Sequence, residues 1–362
     1  MQIECRRSKI RSAGGAGTIQ PEIRVVNVVV PRRRARLEAT VASPNAIRIA
    51  HVTDAHVAPN GRPTATLKHR SCEVLADVVA QCGELGADLT LFGGDNIDNR
   101  GDGEADLEAF LELAGRLERW ACILGNHEAP RTGGLTKERC RWALGGHGVA
   151  PGKPNFSMGV GMVRVIGIDT VLTGTSGGYV SPATMRFLSD EIHQADEPHV
   201  IVMGHHPLYR VWEPHHLDSW DREYLVANRQ DVMALLSSAP RVRAYLCGHH
   251  HASRIQRIGG RVKSTGFYHI LTASPVAYPH GSRLFTFDAE GIWIEPLLPR
   301  IPGLVEEGAA AVLTGRKAQR YELLNASRPF LEYLSGRDRD NRVFLPYRLP
   351  TTEDLPRLAR AV

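Results

Sequence analysis

From Ala46 onward, short apolar runs recur along the chain, each cut off by a polar cluster. They are I-R-I-A-H-V (47–52), L-T-L-F (89–92), A-C-I-L (121–124), V-I-V-M (200–203) and V-R-A-Y-L-C (242–247), with M-V-R-V-I-G-I (162–168) as a sixth. Continuous apolar, β-branched runs of this length predict strands buried on both faces. Between them the apolar positions change to a spacing of three or four. This predicts helices over 72–85 (Val74, Leu75, Val78, Val79, Cys82), 104–117 (Leu107, Phe110, Leu111, Ala114) and 224–236, and one opened by Pro182 and carrying Met185, Leu188 and Ile192. Strands alternating with helices predict a layered α/β fold. Three further strand-like runs follow at 268–271, 284–287 and 292–296.

The same pattern divides the chain. Residues 1–45 form a polar, basic leader with one strand-like run at 22–30. Residues 46–300 carry the alternating strands and helices. Residues 301–362 are an Arg-rich extension without a readable motif. Composition fits a globular body: 43% hydrophobic and 23% charged residues in 362. The net charge of +5 is concentrated in residues 1–36 of the leader, where arginines and Lys9 face only Glu4 and Glu22. The body is slightly acidic, which argues against nucleic acid as a partner. No apolar run is long enough to span a bilayer, and the N-terminus shows no apolar signal region, so the expected location is cytoplasmic, without a membrane partner. Six scattered cysteines without a C-x-x-C pair are expected to be reduced.

Each of the five main runs ends in metal-ligating residue types: D-A-H (Asp54, His56), G-D-N (Asp95), G-N-H-E (Asn126, His127, Glu128), G-H-H-P (His205, His206) and G-H-H-H (His249, His250, His251). In open α/β sheets, ligands gather at the carboxyl ends of strands, so the five ends would form one polar cluster. Carboxylates, imidazoles and an amide oxygen suit Mn, Fe or Zn, and seven donors exceed the need of a single tetrahedral ion. In extended segments, alternate residues share a face, so Asp54 would pair with His56 and His249 with His251.

The ordered set D-x-H, G-D, G-N-H-[D/E], H, G-H-x-H resembles the signature of the calcineurin-like metallophosphoesterase superfamily over about residues 46–290, with similarity to class III cyclic-nucleotide phosphodiesterases. The resemblance implies a four-layer α/β/β/α sandwich of two mixed sheets, with the metal site at the C-terminal strand edges. It assigns one ion to Asp54, His56, Asp95 and His251 and a second to Asp95, Asn126, His205 and His249. The two divalent or mixed-valence ions share Asp95, His127 stands outside as donor to the leaving group, and Glu128 orients it. The implied activity is hydrolysis of a small or nucleotide-like phosphodiester by a hydroxide held between the ions. A phosphomonoesterase or nucleotidase, a diphosphate hydrolase, or a member recruited to unusual chemistry would use the same cage. A scaffold without catalysis would have shed ligands that are all present here. Substrate contacts are expected from Arg100, His206 and His250, and from Trp212, His215, His216 and Trp220 in the 209–223 segment, which could equally serve a lid or a homodimer contact.

Overall fold

The computed structural model describes residues 45–147, 152–211, 218–259, 266–324, 326 and 328–347. The strand-like run at 22–30 and the expected contacts Trp212, His215 and His216 lie outside the described residues.

Two six-stranded mixed sheets form the centre. The first contains β1 (Ile47–Val52), β2 (Leu89–Phe92), β3 (Trp120–Cys122), β10 (Ser282–Phe287), β11 (Gly291–Leu297) and β12 (Val343–Pro346), in the order β12-β11-β10-β1-β2-β3. The second contains β4 (Phe156–Val160), β5 (Val163–Ile168), β6 (His199–Gly204), β7 (Val242–Cys247), β8 (Arg254–Gly259) and β9 (Gly266–Leu271), in the order β4-β5-β6-β7-β9-β8. Strands β1, β2 and β3 run parallel, as do β5, β6, β7 and β9; the remaining pairings are antiparallel.

Three apolar layers explain why the central strands read as unbroken hydrophobic runs. Ile49, Leu89, Leu91, Phe285 and Phe287 of the first sheet meet Val165, Ile201, Met203 and Leu246 of the second. The outer face of the first sheet is covered by α1 (Ser71–Glu84) and α2 (Gly103–Ala114), with α3 (Lys137–Ala143) beside them. There Phe92, Phe110 and Trp120 meet edge to face at centroid distances of 5.0, 5.6 and 5.8 Å. Each such fully buried aromatic contributes about 1.5–3 kcal/mol by leaving water. The outer face of the second sheet is covered by α4 (Pro182–Gln194), α5 (Asp218–Tyr224) and α6 (Arg229–Ser238). The expected α/β/β/α sandwich is borne out.

One reading changes. The helix expected over 224–236 is broken: α5 ends at Tyr224 and α6 begins at Arg229. Neighbours capture the intervening backbone, with Val226 N–H donating to Pro207 O at 3.1 Å and Ala227 N–H to Gly178 O at 2.7 Å. The extension from 301 is sewn into the same body. Its α7 (Leu304–Leu313), α8 (Arg316–Glu322) and α9 (Phe330–Ser335) place Val312, Tyr321, Phe330 and Tyr333 in the second sheet's outer layer, and β12 adds an edge strand beside β11.

Candidate metal centre

The first sheet delivers Asp54 and His56 after β1, Asp95 after β2 and Asn126 after β3. The second delivers His205 after β6, and His249 and His251 after β7. All seven leave the carboxyl ends of parallel strands, and the two sheet edges bring them together. Five of them, Asp54, His56, Asp95, His249 and His251, have left-handed backbone, with φ of 57°, 43°, 50°, 66° and 48°. Non-glycine residues avoid this region, and holding five there concentrates strain at one place. The pairing of Asp54 with His56 therefore has a different cause from the expected one. The strand has already ended, and the left-handed turns rather than a pleat aim both side chains inward.

Close approach explains two of the glycines. A Cβ on Gly125 would lie 2.2 Å from the Asp95 amide nitrogen, and one on Gly248 would lie 2.2 Å from Asp54 Oδ2. Both strand ends must pass directly against a carboxylate of the candidate cage.

The donor atoms converge. His251 Nε2 lies 3.2 Å from Asp54 Oδ1 and 3.1 Å from His56 Nε2. His205 Nε2 lies 3.3 Å from Asn126 Oδ1 and 3.4 Å from Asp95 Oδ2. The same Asp95 oxygen is 4.0 Å from His56 Nε2 and 3.9 Å from His127 Nε2. Backbone carbonyls fix two tautomers. His205 Nδ1 donates to Gly93 O at 2.9 Å, which leaves Nε2 as the inward lone pair. His249 Nε2 donates to Glu223 O at 3.0 Å, which leaves Nδ1. These oxygen and imidazole donors, with no thiolate among them, fit divalent ions of the Mn, Fe or Zn type.

Electrostatics shows the same convergence. Burial opposes charge on His205, but Asp95 outweighs it and raises the imidazole to about 9. Burial also opposes ionisation of Asp95, yet His205, His127 and His56 hold it well below the carboxylate range. Burial, reinforced by His127, keeps His56 low, and burial with His205 lowers His249 to about 4.

His127 stands beside the cage. Its Nδ1 donates to Asp98 O at 2.8 Å, with Asp98 Oδ1 at 3.1 Å, and its Nε2 accepts from Arg100 Nη2 at 3.0 Å. Asp98 also pairs with the buried Lys68. Burial disfavours imidazolium at His127, but Asp95 and the Asp98 hydrogen bond outweigh it and raise its pKa. The residue that orients His127 is thus Asp98, not Glu128 as expected. The Glu128 carboxylate instead accepts backbone N–H bonds from Gly125 (2.6 Å), Asp95 (3.0 Å), Asn96 (2.7 Å) and Ile97 (3.1 Å), tying the second and third strand ends together. Asp98 was visible in the sequence as the second carboxylate of G-D-N-I-D; Lys68 carried no signal.

Of the expected substrate contacts, Arg100 is exposed beside His127. His206, Trp220 and His250 have no exposed surface. His206 bonds Thr170 Oγ1 at 2.7 Å and Ser176 O at 3.0 Å, and His250 bonds the Tyr333 hydroxyl at 2.5 Å. Trp220 packs among the apolar residues behind the second sheet. These three support the cage from behind and do not line a substrate surface.

A family profile described as calcineurin-like phosphoesterase matches residues 47–253, more than half the chain. The chain belongs to the calcineurin-like phosphoesterase family. A protein named probable glycerophosphodiester phosphodiesterase GpdQ, from Arcobacter nitrofigilis, is 27% identical over 165 residues, which is 45% of this chain and 56% of that protein. A Xenopus tropicalis protein named manganese-dependent ADP-ribose/CDP-alcohol diphosphatase is 27% identical over 143 residues, 39% of this chain and 38% of that protein. The chain thus spans from over a third to just over half the length of these relatives. A solved dimetal phosphatase from Danio rerio shares the fold with a TM-score of 0.52 at 15% identity, covering 69% of this chain and 95% of that one.

Proposed function

We propose that this calcineurin-like phosphoesterase is a binuclear metal-dependent phosphodiesterase acting on a small or nucleotide-like phosphodiester. One observation carries the reading: Asp95 Oδ2 sits between His56, of one donor set, and His205, of the other. Asp54, His56, Asp95 and His251 would hold one ion, and Asp95, Asn126, His205 and His249 the second. When bound, such a pair supplies a Lewis-acid grip on phosphoryl oxygen and an activated water. The chain's own groups do the rest. Arg100, exposed at the mouth, neutralises a phosphoryl oxygen, and its bond to His127 Nε2 gives way when substrate enters. Asp98 holds the His127 ring by Nδ1; once Arg100 has moved onto the phosphoryl oxygen, Nε2 takes up a proton from solvent, favoured by Asp95 and Asp98, and delivers it to the departing oxygen. Fixed carbonyl partners on His205 and His249 keep both rings from turning away from the cage.

Cleavage of a diphosphate bond is the second reading, supported by the name of the Xenopus tropicalis relative. The test loads the full chain with Mn and compares bis-p-nitrophenyl phosphate with p-nitrophenyl phosphate, with metal content measured by mass spectrometry. The diester should be preferred, with two ions per chain. Asp95→Ala should abolish turnover and lower the metal content. Full activity with two ions retained in Asp95→Ala would falsify the shared-carboxylate reading.

A further inference from the structure

Outside the family-matched region, α8 sends one cation toward the cage. Lys317 Nζ donates to His250 O, the carbonyl between the cage residues His249 and His251. It also lies 5.3 Å from the centroid of the Tyr224 ring, which in turn neighbours the His249 ring at 5.2 Å. The side chain is half-buried. Among the described residues no carboxylate lies within ion-pair distance of it. Glu223, the acid beside it on α5, is already paired with Arg320. A carbonyl and a ring are poor compensation for an ammonium withdrawn from water, and such a charge is ordinarily paired. Burial drives the Lys317 pKa down to about 7, with Asp54 and Glu223 only partly restoring it. With only a carbonyl and a ring on its ammonium, Lys317 has room in its hydrogen bonding for an arriving anion.

Position says what the anion belongs to. Arg100 flanks the cage on the His127 side, whereas Lys317 reaches it on the G-H-H-H side, one peptide group from two cage imidazoles. A simple phosphodiester has a single anionic group, which the cage and Arg100 would take. A second cation beside a different loop of the cage suits a second phosphate, and lysine meets phosphate as a compact point charge.

We propose that Lys317 is a specificity-determining residue that binds a second phosphate adjoining the one cleaved, so that the site prefers diphosphate-linked diesters over simple ones. This rests on the phosphoesterase reading above and names the substrate class of that same site.

The test compares the Mn-loaded full chain with Lys317→Met and Lys317→Arg on two substrates, diadenosine diphosphate and bis-p-nitrophenyl phosphate. Losing a charge-assisted contact should raise KM for the diphosphate about tenfold or more in Lys317→Met. Its kcat should change little, its KM for the simple diester should change far less than tenfold, and Lys317→Arg should keep most of the preference. Calorimetric titration gives a second readout without turnover. Methylenediphosphonate should bind Lys317→Met about tenfold more weakly than the parent protein, with methylphosphonate binding unaffected. Equal losses on both substrates, or equal diphosphonate affinity in parent and variant, would show that Lys317 merely caps the His250 carbonyl and would overturn the proposal. If the parent protein cleaves neither ester, the hydrolase reading fails separately, and the diphosphonate comparison alone decides the role of Lys317.

Discussion

At the scale of single residues, the cage divides into groups that carry a motif and groups that do not. Asp54, His56, Asp95, Asn126, His205, His249 and His251 stand beside strand runs in recognisable spacings, so sequence alone could nominate them. Lys68 precedes α1 in an unremarkable turn and reaches Asp98 only through tertiary packing. Its ammonium and the Asp98 carboxylate are each about nine-tenths buried and rely on each other for charge balance. Removing one partner of a buried pair costs about 3–5 kcal/mol, because the other charge is left uncompensated. Asp98→Asn should therefore lose much of the protein's thermal stability, and Lys68→Met combined with Asp98→Asn should lose less than Asp98→Asn alone. A melting-temperature double-mutant cycle checks this; additive losses would show that the two side chains are not coupled. In the chemistry, His127→Ala should lower kcat by about 10²–10⁴ while metal content stays near that of the parent protein. Loss of metal in that variant would mean that His127 is a ligand.

At the scale of elements, the strands were legible because a parallel strand covered on both faces has no polar side to hide it. The boundaries of the site-forming segments were less legible. The break between α5 and α6 arises from Pro207 and Gly178 carbonyls claiming the N–H groups of Val226 and Ala227, a competition between distant backbones that no local periodicity records. The break matters, since the end of α5 presents the Glu223 carbonyl to His249 Nε2. The left-handed strand ends were equally hidden, because φ at Asp54 or His251 is imposed by the chain crossing beside it. Gly248 tests that crossing. An added Cβ would lie 2.1 Å from Thr53 Oγ1 and 2.2 Å from Asp54 Oδ2, so Gly248→Ala must displace the Asp54 carboxylate. Overpacking of this kind costs about 1–3 kcal/mol, and metal content should fall with it. Gly101, around which a new Cβ meets nothing within 4 Å, is the control, and its alanine variant should keep both stability and metal. A Gly248→Ala protein with a full metal complement would show that the loop relaxes without moving Asp54.

At the scale of the whole molecule, the cage joins the two sheets. Asp54, His56, Asp95 and Asn126 come from one, and His205, His249 and His251 from the other. Without metal, one charged link between the sheets here is Asp95 with protonated His205, whose pKa is raised from 6.5 to about 9. A raised histidine contributes stability that is fully present below 6.5 and lost as pH rises through about 9. The metal-free protein should therefore lose stability between pH 7 and 9.5 through this group. Ion binding needs the neutral imidazole, so near pH 7.5 His205 must give up its proton, whereas His56 and His249, both held low, are already neutral. The consequence is that apparent Mn affinity should rise with pH, by up to about tenfold per unit between 6.5 and 9, with one proton released per chain from this group. Metal-loaded protein should then melt higher than chelator-treated protein, by a margin that widens toward pH 9, since binding stabilises by RT ln(1 + [M]/Kd). Calorimetry of Mn binding at pH 7.5 in two buffers of different ionisation enthalpy measures the proton directly. A buffer-independent heat, with affinity flat from pH 6.5 to 9, would show that Asp95 and His205 do not form the protonated link that the metal-free cage requires.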